Sequence, residues 1–306
     1  MRVLLVVNAS AASVTERMRV VIHKALAADH DVAMAETSRR GHATMLAQGA
    51  AADGVDVVVV LGGDGTLNEA ANGLAGTQTA LSVLPGGSTN VFARTIGMTN
   101  DPIEATGELL GALARGSIRR VGLGSVNGRF FLFHVGLGFD AAVVARVERR
   151  GSLKRYAGQA LFVATAINTW FRHYDRSRPR FLFSATTEDG QRHSVDQAYF
   201  GIVLNTNPYT FLGNRPLDVV PGAGLDSRLS VIIFRRFSLV TLLPVAAAAL
   251  RGKGARGRGI TDLTEVVSAT VAPFGPLPYQ VDGDYLGEAE QLELRFEPDA
   301  LRLVVP

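Results

Sequence analysis

Cysteine is absent from the 306-residue chain, which excludes disulfides, thiolate nucleophiles and cysteine metal sites. Histidine is sparse. The six present form no HExxH pair and no tight cluster, so a histidine-held zinc centre has no support. No apolar run is long enough to span a bilayer. The longest, FSLVTLLPVAAAAL at 237–250, is broken by Pro244 and falls short of the ~20 residues required. The opening MRVLLVVNAS lacks the apolar core and cleavage pattern of a secretory leader and reads as a strand. Charge of either sign is modest: 31 basic against 28 acidic residues give +3. That permits contact with anionic lipid or nucleotide without demanding nucleic acid, and no nucleic-acid-reading module is present. A cytoplasmic protein with peripheral membrane contact is the expectation.

Glycine is plentiful at 33 residues, and apolar residues make up 47% of the chain, a folded composition with many tight turns. The length suits one large or two ordinary domains. The organising stretch is VVVVLGGDGTLNE at 57–69. Four valines and Leu61 suit a parallel strand covered on both faces. Gly62, Gly63 and Gly65 let the backbone turn tightly, and Leu67, Ala70, Ala71 and Leu74 space like a helix face. Strand, glycine turn and helix together aim backbone N–H groups at one point, an anion site. Asp64 would repel bare phosphate, but it fits a site where a divalent cation lies between carboxylate and phosphate. The plainer alternative is a strand-to-helix turn with Asp64 as a helix cap. The loop is neither GxGxxG nor GxxxxGKS/T, so neither a dinucleotide fingerprint nor a Walker loop is supported.

Strand and helix signals alternate through strands at 2–8, 31–37, 55–61 and 80–87 and helices from Val14, at 39–53, 67–75 and 101–116. This alternation predicts a parallel sheet with helices on both faces, its ligand at the carboxyl ends of the strands. Three small polar strand exits meet that description, at 8–13, 62–66 and 85–90. Beyond residue 120 the pattern turns to period two. A hairpin signal stands at Val126-Asn127-Gly128, with strand candidates at 130–135, 180–186, 197–204, 229–234, 290–296 and 301–305. Helical stretches interrupt it at 156–173 and 238–251. The predicted fold class is α/β. An N-terminal parallel-sheet nucleotide-binding domain (1–120) precedes a mostly-β sandwich domain with helical insertions (121–306), and residues from about 297 pack back on the first.

Two further clusters carry chemistry. In PGGSTNVFAR at 85–94, Gly87, Ser88, Thr89 and Asn90 form a loop that can donate to phosphate, ribose or a substrate hydroxyl. The alternative is a turn with Asn90 as helix cap. In YQVDGDYLG at 279–287, Asp282 and Asp284 flank Gly283. Two carboxylates there suit general-base work or magnesium, whereas Asp-Gly is also a strong hairpin former. Basic runs at 146–155 (including Arg149, Arg150, Lys154 and Arg155) and 251–258 are candidate lipid contacts, as is the aromatic helix with Tyr156, Phe162, Trp170 and Phe171.

The GGDGT at 62–66, with Asn68 and Glu69 behind it, resembles the nucleotide loop of the diacylglycerol kinase catalytic domain. That domain is shared by soluble bacterial lipid kinases and by sphingosine and ceramide kinases, and its fold is similar to that of NAD kinases and phosphofructokinases. The resemblance implies ATP and Mg2+ as cofactors and a membrane lipid as acceptor, met by transient contact. It implies nucleotide contacts at Asn8, Thr37, Gly62, Gly63, Asp64, Gly65, Thr66, Gly87, Ser88, Thr89 and Asn90, a metal at Asp64, and a structural magnesium near Asp226, where Arg228 follows. Asp282 is the first candidate for the base, with Asp284 assisting; the roles of Asp64 and Asp282 are interchangeable at this stage. HVGLGFD, ending at Asp140, resembles the family's Gly-x-Gly-x-Asp segment. Three departures stand out: Ala9 replaces a proline, Val91 an aspartate and Asp284 a glutamate. Diacylglycerol is the implied acceptor; monoacylglycerol, phosphatidylglycerol, sphingoid bases, an NAD kinase activity and a non-catalytic nucleotide-binding regulator are the alternatives. A homodimer is compatible with the sequence.

Overall fold

The computed structural model describes residues 1–149, 162, 164–172 and 174–306. Arg150, Lys154, Arg155 and Tyr156, singled out above, lie outside the described residues. Contacts divide the chain into two compact units, Met1–Leu123 with Pro298–Pro306, and Gly124–Glu297.

The first unit is built from β1 (Arg2–Val7), α1 (Glu16–Ala27), β2 (Asp31–Glu36), α2 (His42–Ala52), β3 (Val57–Gly62), α3 (Asp64–Leu74), β4 (Ala80–Pro85), α4 (Val91–Thr95), α5 (Pro102–Ala114) and the start of β5 (Ile118–Val126). Its strands pair in parallel in the order β2-β1-β3-β4, and residues 302–303 add a further parallel pairing to β4. Every residue of β3 and β4 is buried, as an apolar run covered by helices on both faces requires. Thr15 caps α1 by accepting from the Met18 amide, and Asp101 caps α5 ahead of Pro102. Helices α2 and α3 pack tightly at Gly73, where a Cβ would lie 2.6 Å from the Thr44 carbonyl.

The second unit continues with β6 (Arg129–Phe131), β7 (His134–Leu137), α6 (Phe139–Glu148), β8 (Phe181–Thr187), β9 (Arg192–Ala198), β10 (Phe200–Leu204), β11 (Thr210–Leu212), β12 (Arg215–Leu217), β13 (Leu229–Phe234), α7 (Leu239–Ala249), β14 (Ile260–Pro273), β15 (Leu277–Val281), β16 (Asp284–Ala289) and β17 (Leu292–Val304). Its strands are antiparallel, in the order β16-β15-β7-β10-β13-β14. Apart from the β11-β12 pair, the described strands of this unit join in one branched network, and a separate sandwich is not shown. β14 pairs with β13 through residues 260–266, then with β8 and β17 beyond. The change of partner falls at Glu265, whose φ is 53°, next to a register shift at Val266/Ser268. A bulge there bends the strand, so one strand serves both branches. The inward faces, among them Phe181, Phe183, Val231, Ile233, Leu292 and Leu294, form one core. The segments expected at 290–296 and 301–305 are one strand, β17. The result is an α/β fold with parallel and antiparallel strands.

Candidate functional site

In the first unit the three strand exits converge. The Asn8 side chain donates to Thr66 Oγ1 at 2.9 Å and accepts from the Ser10 amide at 3.1 Å. Ser13 donates through its amide to the Gly86 carbonyl at 3.0 Å and through its hydroxyl to the Gly87 carbonyl at 3.3 Å. The two glycine loops touch backbone to backbone. The Gly86 amide donates to the Gly62 carbonyl at 2.8 Å, and a Cβ on Gly87 would stand 2.8 Å from Gly63 Cα. Thr37 leaves β2 beside them, its amide bonded to the Val7 carbonyl at 2.9 Å.

The cradle therefore consists of backbone. Helix α3 begins at Gly63 with no side-chain cap, so its first-turn amides and the positive end of its dipole are directed at the loop concavity. Ser88 is exposed beside it and Thr89 half-buried. This donor set fits the phosphates of a nucleotide.

The acids of the loop have structural partners that the sequence did not show. Asp64 does not cap its own helix. Its two carboxylate oxygens accept from the Val91 and Phe92 amides at 3.0 and 3.1 Å and so cap α4. Burial pushes the Asp64 carboxyl up in pKa, against the lowering effect of those two amides. Glu69 accepts from the Gly41 and Ala43 amides at 2.8 and 3.2 Å and caps α2, whose own N-cap, Gly41, has φ 81° and no side chain. One helix thus holds the starts of two others. Asn90 departs from its expected role as a cap. It sits at φ 50° and makes no capping bond to α4. Its amide group closes the 87–90 loop instead, accepting from the Gly87 amide at 2.7 Å and donating to the Gly87 carbonyl at 3.0 Å. Val91 is buried.

In the second unit, Asp282 and Gly283 have φ 49° and 82° and join β15 to β16 as a two-residue hairpin turn of the type Asp-Gly favours. The Asp282 side chain nonetheless points inward and is 4% exposed. It accepts from the Leu132, Phe133 and His134 amides at 2.7, 2.9 and 3.0 Å. Asp284 is less enclosed, with a side chain 21% exposed and Arg129 at 3.9 Å.

Behind this turn lies a buried polar network. The Gly283 amide donates to Gln280 Oε1 at 2.8 Å. Gln280 Nε2 donates to Asp140 Oδ2 at 2.6 Å, and the Tyr209 hydroxyl donates to Asp140 Oδ1. Gly136 makes room, since a Cβ there would lie 1.6 Å from Asp140 Oδ2. Burial pushes the Asp140 carboxyl up in pKa, and burial followed by the nearby Asp140 charge pushes the Tyr209 hydroxyl up as well. His134 packs on Tyr209 with ring centroids 4.4 Å apart and the planes tilted by 40°, and burial lowers its pKa from 6.5 to about 3. Asp140 was legible from HVGLGFD; Gln280, Tyr209 and His134 gave no comparable signal.

Asp226 is exposed in the turn before β13. Among the described residues there is no group of three or more His, Asp or Glu side chains placed to share a metal. A cation at Asp64 or Asp226 would therefore depend on oxygen ligands from backbone, water or a bound phosphate. Among the described residues no helix is long and apolar enough to cross a membrane.

Comparison with known proteins agrees with this geometry. Residues 2–126 match the diacylglycerol kinase catalytic domain. The chain is 27% identical to a diacylglycerol kinase of Bacillus subtilis over 270 residues, covering 87% of this chain and 84% of that one. It is 26% identical to a diacylglycerol kinase of Staphylococcus carnosus over 260 residues, covering 82% and 78%. The fold superposes on the crystal structure of a diacylglycerol kinase from Bacillus anthracis with a TM-score of 0.71 at 21% identity, covering 100% of this chain and 97% of the other. With the glycine cradle and the matched domain in agreement, residues 2–126 are similar to the diacylglycerol kinase catalytic domain, and most of the chain is similar to bacterial diacylglycerol kinases.

Proposed function

We propose that this protein transfers the γ-phosphate of ATP to the hydroxyl of a membrane lipid, with diacylglycerol the first acceptor to test. The observation that supports this most is the uncapped start of α3 set against a second glycine loop. Such a backbone cradle can hold phosphate without a lysine-bearing loop. Asn8, Thr66 and Ser13 fix the cradle, while Thr37, Ser88 and Thr89 supply further donors to the nucleotide. Asp64 would hold magnesium, which offsets charge on the transferring phosphoryl group. Two amides on a carboxylate leave acceptor capacity for that contact.

For the acceptor, we assign the base to Asp284 and a positioning role to Asp282. Three amides occupy most of the acceptor sites of Asp282, whereas Asp284 is partly open. The acceptor oxygen attacks the γ-phosphorus as the bond to the β–γ bridging oxygen breaks. ADP leaves with that electron pair, and the hydroxyl proton passes to the Asp284 carboxylate. The protein would meet its acceptor by transient peripheral contact from the cytoplasmic side.

The test is transfer from labelled ATP with magnesium to diacylglycerol, monoacylglycerol, phosphatidylglycerol and a sphingoid base in mixed micelles, with NAD as a further acceptor. Label in a lipid supports the reading. Label in NAD alone, or ATP binding with no transfer to any acceptor, refutes it.

A further inference from the structure

Helix α7 is apolar almost all the way round, a pattern that normally means full burial. Only one side is covered. Val245 and Ala249 are buried, and Leu242 packs on the aromatic cluster of Trp170, Tyr174 and Phe237. The opposite side is open: Leu239 is 42% exposed, Val240 85%, Leu243 64% and Leu250 42%. At 100° per residue, Leu239, Leu243 and Leu250 fall within one narrow stripe, with Val240 at its edge. A buried aromatic contact ties the start of the helix to a neighbouring helical segment. Phe237, just before the N-cap Ser238, packs on Trp170 at 4.2 Å between ring centroids. The helical residues around Trp170 leave Ile167 and Phe171, one turn apart, 56% and 61% exposed.

Along the sequence, the charge flanking the helix is of one sign. No acidic residue occurs between Asp226 and Asp262. Arg235 and Arg236 precede the helix and Arg251, Lys253, Arg256 and Arg258 follow it, all exposed. Among the described residues, Arg256 pairs with Asp262 at 3.7 Å, and that pair is itself solvent-exposed. An apolar stripe with cations at both ends complements an anionic lipid surface: the side chains enter the acyl boundary while the cations meet headgroup phosphates. Eleven residues span about 16 Å, too short to cross a bilayer but suited to lying in its plane.

We infer that α7 and its basic flanks are the surface by which this protein docks on an anionic phospholipid bilayer. The inference rests on the kinase reading only in taking the acceptor to be a membrane lipid. Cosedimentation with phosphatidylcholine vesicles containing about 30% phosphatidylglycerol tests it. Wild type is compared with the double variant Val240→Ser/Leu243→Ser and the triple variant Arg236→Gln/Lys253→Gln/Arg258→Gln, each checked for unchanged urea unfolding. All five positions are exposed, so the fold is expected to tolerate them.

The triple variant is expected to lose about 100-fold in partitioning, roughly fivefold per cation near the surface. The double variant is expected to lose at least ~10-fold, and wild-type binding should fall in high salt. Turnover of vesicle-borne diacylglycerol should fall in parallel, with turnover of a monomeric short-chain diacylglycerol unchanged. Variants that bind vesicles like wild type would overturn the inference. So would wild-type binding indifferent to phosphatidylglycerol, or a dimer in sedimentation velocity that Val240→Ser/Leu243→Ser dissociates, because the stripe would then be covered by a second copy. If wild type binds these vesicles as described but phosphorylates no lipid, the kinase reading fails and the docking surface stands.

Discussion

Replacing Asp282 and Asp284 separately by asparagine divides the structural carboxylate from the chemical one. Asn tolerates the left-handed backbone of position 282, and Asn-Gly remains a favoured hairpin pair, so the turn itself is preserved. What changes is the acceptor. Asp282 takes one amide on Oδ2 and two on Oδ1. In Asp282→Asn one oxygen becomes an NH2 group facing the Leu132 amide, donor against donor, and the other two bonds lose their charge assistance. A lost hydrogen bond to a charged group costs about 1.5–3 kcal/mol, and weakening two more adds about 1 kcal/mol. The expected loss is about 2.5–4 kcal/mol, read as a lower urea midpoint at unchanged m-value. Asp284, partly exposed with Arg129 at 3.9 Å, should lose less than about 1 kcal/mol in Asp284→Asn. Its kcat should fall about 10²–10⁴-fold, the range for a missing general base. Asp284→Asn with wild-type turnover, together with an Asp282→Asn protein that is as stable as wild type but inactive, would reverse the two roles.

The other predictions are briefer. Asp64→Asn should cost only about 1 kcal/mol, because loss of the cap on α4 is offset by removing a carboxylate that burial disfavours; phosphate transfer should nevertheless drop at least ~100-fold, measured as ADP release. Gly87→Ala places a methyl 2.8 Å from Gly63 Cα, so the loops must part; the KM for ATP should rise at least ~10-fold, with about 1–3 kcal/mol lost in stability. His134, held neutral with its pKa lowered from 6.5 to about 3, contributes stability that is complete above pH 6.5 and lost as pH falls towards 3. The slope is about 1.4 kcal/mol per pH unit, so about 2 kcal/mol is lost between pH 6.5 and 5. Urea midpoints across that range should fall less steeply in His134→Asn than in wild type.

The parallel half was legible because its signals are local. Four consecutive valines followed by glycines fix a buried strand and a tight turn whatever surrounds them, and the cap at Asp101 lies beside the helix it serves. The β-rich half was less legible. Its longest strand, β14, shows no clean alternation, since most of ITDLTEVVSATVAP is exposed or half-exposed, and it passed unnoticed. The bulge at Glu265, where β14 changes partner, has no sequence mark. The same limit applies to side chains. Asp-Gly at 282–283 specified the backbone of the turn but not that the carboxylate turns inward to amides about 150 positions earlier in the chain. Nor does spacing show that Glu69 and Asp64 cap helices starting some 27 residues away, since a cap made across the fold leaves no local pattern.

Those two caps bear on the departure at Val91. The family's aspartate at this place suggested a missing carboxylate function. In the structure, the contribution of residue 91 to the cradle is its backbone amide on Asp64 Oδ2, which any residue but proline supplies. The side chain is 4% exposed and packs as a core residue would. Asp64 is the acid of this loop whose oxygens meet α4. Valine at this place keeps the backbone hydrogen bonds that shape the cradle. Metal affinity in this chain should then depend on bound phosphate more than on the protein's own carboxylates.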